Sequence, residues 1–500
     1  MRLAHTALGG AIGVMWLVLP GVTADHSDHE VPVSAVGSAH GTAAQEDETS
    51  TGDLVLPLVA AGTATAVAAY AYARRRRRAR THTPATAGAG PAQVPPPPPA
   101  PELDRQARRS LVTADDCVRT SREELGFVEG LFGAEAVAPF TEAVRYAEAE
   151  LSAAFQLRQT YDDNPTDASR DILDEIVARC VDAGRRLDAE AAGFDQLRAL
   201  EQDMSGALRH AEVRFRELNG RTGAAGSTLA DLGERYAPTA SFSVSGQVEQ
   251  AKDRLVFATT GLNRARQSAD LGETDRAVLH LRAAEGAIAQ AEVFVDGVDR
   301  LASALAAAAQ ALPEALDEAE AAVVEARERP TAEEPVGALE GHVRRAEATL
   351  AAVREEAAAG PYDPLEALRR VAEVCAPLGA VPGAVRLVAR GSTADADGLI
   401  GTHRGAVAAE ARTRLAEARR LLDRDPAEAD TFARQARELA ERDIRAHGNP
   451  YGGRPEHTNG VAGAVLGGIL LGDLPDARPD TLTGGAPVSF GGPATRARRG

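Results

Sequence analysis

From Glu102 to about His447, apolar residues recur every three or four positions, with Glu and Arg on the intervening face. That period belongs to the amphipathic α-helix, so most of the chain is confined to helices packed through apolar stripes. Only 4% of the residues are aromatic, and the sole tryptophan, Trp16, lies near the amino end. A core without large rings must pack on Ala, Leu and Val, which suits closely approaching helices better than a sheet. Within 281–305 a heptad is readable. Leu281, Ile288 and Val295 share one seam position, and Ala284, Ala291, Val298 and Leu305 share the other, with the alanines allowing close approach.

Helix starts carry a repeated device, D-P-x-E-A, at Asp363, Pro364, Glu366 and again at Asp425, Pro426, Glu428. The Asp caps free N–H groups, the Pro fits the first helical position, and the Glu three after the cap can bond back. A cruder version begins at Glu273 after Gly272. The unequal spacing of these starts excludes a solenoid of fixed period. Breaks are expected at 162–165, 219–227, 238–245, 330–335 and 377–391, where Pro, Gly, Asn and Ser cluster. The expected fold is mainly α: an elongated antiparallel helical bundle of coiled-coil-like hairpins, plus one transmembrane helix and disordered linkers. The helical domain occupies 102–447. A Gly/Pro-rich tail at 448–500 is read as disordered, although VAGAVLGGILLG at 461–472 has the small-xxx-small spacing of a helix or lipid contact.

The amino-terminal part points to a membrane. Residues 1–24 place Arg2 before an apolar centre of about fourteen residues and end in Val22-Thr23-Ala24, the pattern of a secretory signal peptide. A short polar segment at 25–53 is read as extracytoplasmic and disordered. Residues 54–73 carry no charge, and at about 1.5 Å rise per residue they span about 30 Å, the thickness of a bilayer core. Glu46, Asp47, Glu48 and Asp53 precede this segment, and Arg74, Arg75, Arg76, Arg77, Arg78 and Arg80 follow it. Basic residues at the end of a span stay cytoplasmic. The arginines therefore read as a stop-transfer flank, with the amino end outside the cell and the helical domain in the cytoplasm. Residues 81–101 form a Pro-rich linker, with polyproline II expected over 95–99. The bilayer is thus the first expected partner. A protein partner is expected but not identifiable, and self-association through the helices is open. The net charge of −18 argues against a surface built for nucleic acid, leaving only the arginine run as a weaker alternative for that role.

Catalytic patterns are absent. The only lysine, Lys252, has no glycine loop before it, and neither HExxH nor GxSxG occurs. Cys117, Cys180 and Cys375 are far apart and give no metal or disulfide framework. His26 and His29 stand beside acids without a further convergent ligand. His280, His342 and His403 are scattered and read as surface or satisfied helical residues. The acid excess reads as a solvated helix face suited to basic partners. No enzyme, cofactor or metal site is expected.

Several blocks resemble the carboxyl-terminal half of actinobacterial TPM-domain membrane proteins. They are SREELGFVEGLFGAEAVAPF (121–140), LDEIVARCVDAGRRLDAEAAGFDQLR (173–198), ERYAP (234–238), YDPLEALRRV (362–371) and RGAVAAEARTRLAEARRLLDR (404–424), followed by the Gly-rich SFGGPATRARRG (489–500). The resemblance covers roughly 102–500, with its blocks in order. It implies a signal sequence, an outer domain, one span, an arginine-rich flank and cytoplasmic coiled-coil-like helices. The outer TPM domain, with the family's phosphatase or metal-binding acids, has no counterpart here beyond 25–53, too short to build such a fold. The segment 375–398 also departs from relatives that are continuously helical there. The resemblance and the residues together imply a membrane-anchored scaffold or interaction module in cell-envelope homeostasis. The alternative is a regulatory subunit of a separately encoded phosphatase-like TPM domain.

Overall fold

A computed structural model describes residues 99–164, 169–200, 202–328, 336–378, 381–447, 461–470 and 487–499. All of these belong to the unit Pro96–Gly500. The signal segment, outer segment, span and arginine flank expected at 1–80 lie outside the described residues, as do His26 and His29. Among the described residues the chain is mainly helical, with no β-strand and one isolated bridge between Leu470 and Pro487. No described helix is long and apolar enough to cross a membrane.

The first group is α1 (Ala100–Phe132), α2 (Ala134–Asp163) and α3 (Ser169–Arg198). Pro99 enters α1 with φ −61° and ψ 149°, the polyproline II geometry expected there. Gly133, at φ 81°, separates α1 from α2. Arg122 near the end of α1 pairs with Glu148, while Arg158 further along α2 reaches back to Asp104 near the start of α1. The two helices therefore run antiparallel. Leu111, Val118, Leu151, Ile176 and Leu187 fill the space between them and α3.

The second group is α4 (Met204–Arg235), the short α5 (Pro238–Ser241) with a 3-10 turn at Phe242–Val244, α6 (Gln247–Asp270) and α7 (Thr274–Glu328). Asp203 caps α4 by accepting a bond of 2.9 Å from the Gly206 N–H. Gly272, at φ 76°, turns α6 into α7. Where these two helices cross, a Cβ on Gly261 would lie 3.0 Å from the Ala284 Cβ and 3.2 Å from the His280 carbonyl oxygen. A larger residue there would require the neighbouring helix to give by a few tenths of an ångström.

Helix α7 has 55 residues, about 80 Å at 1.5 Å per residue, and serves two cores. Its heptad residues Leu281, Ile288, Val295, Ala284, Ala291 and Val298 are buried against α4 and α6. Its later residues Leu312, Leu316 and Val323 pack with α8 (Val336–Ala359), α9 (Pro364–Cys375) and α10 (Pro382–Thr402). Helices α11 (Ala409–Leu421) and α12 (Pro426–His447) close on α10 through Ile400, Leu415, Ala436 and Ala440.

Three sequence expectations are corrected. Residues 219–227 are not a break but the interior of α4. Gly220, Gly223 and Gly226 weaken the helix by about 1 kcal/mol each relative to alanine, yet Leu218, Thr222, Ala225 and Leu232 keep a buried stripe through it. The interruption expected over 375–398 is limited to a 3-10 turn at Ala376–Leu378 and the entry to α10, which is helical from Pro382 onward. Val381 makes the restart in left-handed geometry, at φ 57°, with its N–H donating to Glu318 Oε1 at 3.0 Å. The tail is also not simply disordered. Helix α13 (Val461–Leu466) and helix α14 (Pro493–Arg499) both pack on the bundle.

The tail contacts are specific. The Gln290 amide donates to the Gly467 carbonyl at 2.6 Å, and the Gly405 N–H donates to the Leu466 carbonyl at 2.9 Å. Further on, Phe490 stacks on Phe194 with ring centroids 4.2 Å apart and meets Phe140 edge-on. The N–H groups of Gly492, Ala494 and Thr495 all donate to the Asp188 carboxylate. Residues 487–499 thus form a strap over α1 and α3. The glycines that made this stretch read as loose let its backbone approach closely, as at Gly492, where a Cβ would fall 2.1 Å from the Gly184 carbonyl oxygen.

Candidate functional site

Both D-P-x-E-A starts form as expected. Asp363 Oδ1 accepts from the Glu366 N–H at 3.1 Å, and Asp425 Oδ1 accepts from the Glu428 N–H at 3.0 Å, with Pro364 and Pro426 opening their helices. The Glu366 carboxylate does not bond back to its cap; it takes Arg369 at 2.6 Å instead. The two devices launch α9 and α12, and these helices form two walls of a cleft of about 390 Å³. The other walls are α7, α10 and the segment of α5 with its following 3-10 turn.

The cleft has an apolar floor of Phe294, Leu301 and Val388 and a charged rim. Most of the rim is internally neutralised. Arg369 joins Glu366, the Ser392 hydroxyl and Asp430; Arg434 joins Glu373 and Asp430; Arg437 joins Asp395 and Glu441. Burial opposes the charge of Arg369, but Asp430 and Glu366 outweigh it and hold its pKa above the ordinary value. Burial pushes the capping carboxyl of Asp363 upward. Arg300, also on the rim, is exposed and has no acidic partner within 4 Å among the described residues. Gln247 Oε1 is buried without a hydrogen-bond donor.

A second concentration of charge lies in the packing between α1 and its neighbours. Arg412 is buried and donates to Asp115 at 2.6 Å, Asp116 at 2.7 Å and the carbonyls of Arg404 and Val407. Arg404 grips Glu123 through two bonds of 2.9 Å. Arg119 bridges Asp115 and Asp397, and Arg198 bridges Glu124 and Glu285. One face of α1 is thereby tied to α3, α7, α10 and α11. Burial pushes the Glu285 carboxyl upward despite Arg198, with Glu124 adding like charge. Asp397 is held well below the usual range: burial opposes this, and Arg119 and Arg419 overcome it. The sequence reading placed such residues on a solvated face. Alternation of charge on a helix cannot distinguish water from the charged face of another helix.

His403 is buried at the end of α10, with Nδ1 3.0 Å from the Thr402 hydroxyl and 3.2 Å from the Leu399 carbonyl oxygen. Burial, with the Arg254 charge, depresses its pKa to about 4. His280 is also buried, and its Nδ1 has no partner. Cys117, Cys180 and Cys375 are buried and unpaired. Burial raises the first two thiols to about 11 and about 12, far from a reactive thiolate. Among the described residues, no three His, Cys, Asp or Glu side chains are grouped to hold a metal ion. Arg74, Arg75, Arg76, Arg77, Arg78 and Arg80 lie outside the described residues.

The fold and cleft define a mainly helical protein with a polar-rimmed recess. No family model matches the chain, and no solved structure matches it. It is similar, at 31% identity over 431 residues, to the UPF0603 protein MT2410 of Mycobacterium tuberculosis strain CDC 1551 / Oshkosh. It is similar to the same degree to the UPF0603 protein Rv2345 of Mycobacterium tuberculosis strain ATCC 25618 / H37Rv. Each alignment covers 78% of this chain, and the chain spans 64% of the length of these relatives.

Proposed function

We propose that the chain is a single-pass, membrane-anchored helical scaffold or protein-interaction module of the cell envelope, without enzymatic activity of its own. The observation that carries this reading is the charge asymmetry about 54–73, acidic before and arginine-rich after, on the amino side of a mainly helical unit. The arginines anchor the cytoplasmic end on anionic lipid, each worth about 1 kcal/mol near the surface. The Pro-rich linker at 81–101 holds the helices off the bilayer. The hairpins then act as an elongated antiparallel bundle whose coiled-coil-like faces receive a partner or a second copy. The ionic ties across α1 support this reading, because they fix the helices in one arrangement. The resemblance to the cytoplasmic half of TPM-domain membrane proteins agrees with it. A topology map with reporter fusions tests it: a reporter after Arg80 is expected to be active only in the cytoplasm. Activity only outside the cell overturns both the orientation and the placement of the helices.

A second reading makes the chain a regulatory subunit for a separately encoded phosphatase-like TPM domain. It rests on the resemblance of 102–500 to the helical half of TPM-domain membrane proteins. Co-purification with such a domain from the same cell supports it, and failure to co-purify after co-expression removes it.

A further inference from the structure

We propose that the cleft between α7, α10 and α12 binds a small amphipathic carboxylate. Its size falls within the roughly 300–1,000 Å³ of ordinary ligand pockets, at about 390 Å³. Its α10 wall carries glycine at two positions seven residues apart. A Cβ on Gly391 would meet nothing within 4 Å, and one on Gly398 would first meet Arg300 Nη2 at 3.9 Å. Both glycines lie inside a helix, where glycine costs about 1 kcal/mol relative to alanine. Neither has the left-handed backbone or the crowded neighbour that explains Gly272 or Gly261. Both line the cleft, and a long side chain at either position would enter it.

The polar group left over around that space specifies its contents. Among the described residues, three of the four guanidiniums on the rim are matched by acids; Arg300 is not. It offers a forked donor for a carboxylate. One turn earlier on α7, Gly297 lets the Gln247 amide lie against the helix, with its Oε1 at 2.2 Å from where a Cβ would stand. That oxygen is enclosed against α7 and is not offered to the open space. Phe294, Leu301 and Val388 then receive the ligand's apolar part. The inference is independent of the membrane topology proposed above.

The test is calorimetric titration of the purified full chain with N-acetyl-L-leucine. Saturable binding at millimolar ligand or below is expected. N-acetyl-L-leucinamide, which lacks the carboxylate, is expected to bind about tenfold or more weakly, and Arg300→Ala is expected to lower the affinity for the acid to a similar extent. Gly391→Leu is expected to abolish binding by filling the recess, while its thermal unfolding midpoint stays at or above that of the unsubstituted chain. A peptide ending in leucine separates the two sources of this chemistry, and tighter binding than the free compound assigns the site to chain ends. Absence of saturation, or equal affinity of the acid for the unsubstituted chain and Arg300→Ala, overturns the proposal.

Discussion

Phe490→Ala is the most direct test of how the strap is held. Its ring is fully buried, stacked on Phe194 at 4.2 Å and 11°, and edge-on to Phe140 at 6.0 Å. Truncating a buried phenylalanine costs about 3–5 kcal/mol in a core that cannot rearrange. The strap can avoid part of that loss by leaving. Ordering its backbone costs about 1–2 kcal/mol per residue, so the net docking energy is a small difference, and losing about 3 kcal/mol should release it. Global stability then falls by no more than the docking energy, and the local effect is larger than the global one. Hydrogen exchange reads this directly at Gly492, Ala494 and Thr495, whose N–H groups are held by Asp188. About a hundredfold loss of protection is expected at these three amides, with amides of α6 and α7 unchanged. Unchanged protection in the strap would refute the assignment of Phe490 as its anchor.

His403 should make stability depend on acid. Its folded pKa is depressed to about 4 by burial and by Arg254, from an ordinary 6.5. Between those values the unfolded chain binds the extra proton, so stability is fully present above about pH 6.5 and is lost as pH falls toward about 4. The loss is worth up to about 3 kcal/mol. Denaturant titrations of His403→Gln should lack that part of the slope, and an identical slope would assign the acid sensitivity elsewhere. Arg412→Ala leaves Asp115 and Asp116 short of a partner in a buried setting and should cost about 3–5 kcal/mol in chemical denaturation. Arg412→Lys should recover only part, since an ammonium cannot reproduce the four-way fork. A loss below about 1 kcal/mol would show that water already screens this junction.

What the sequence made legible was local. The seam residues 281–305 are buried in α7 because a heptad fixes which face of a helix is apolar, whatever that helix packs on. The caps at Asp363 and Asp425 form because their bonds close within four residues. What it hid was non-local. Nothing near Arg412 in sequence marks it as buried; its acids lie almost three hundred positions away, at |i−j| 297 and 296. The cleft draws its walls from five separated segments, so only its caps at Asp363 and Glu366 stood out beforehand. The glycines misled in both directions. In α4 a continuous apolar stripe carried the helix through them, and in the tail they marked contact rather than looseness.

The strap also sets an order of events. The slot it fills is lined by Phe140 and Phe194, and α3 is complete at Arg198, whereas the strap begins at Pro487. At about 5–20 residues per second, translation takes roughly 15–60 seconds to cover that interval. Throughout it the first hairpin has left the ribosome with an uncovered aromatic groove. A nascent chain in that condition is a ready client for holding chaperones. Arrival of the strap is the event that ends the exposure.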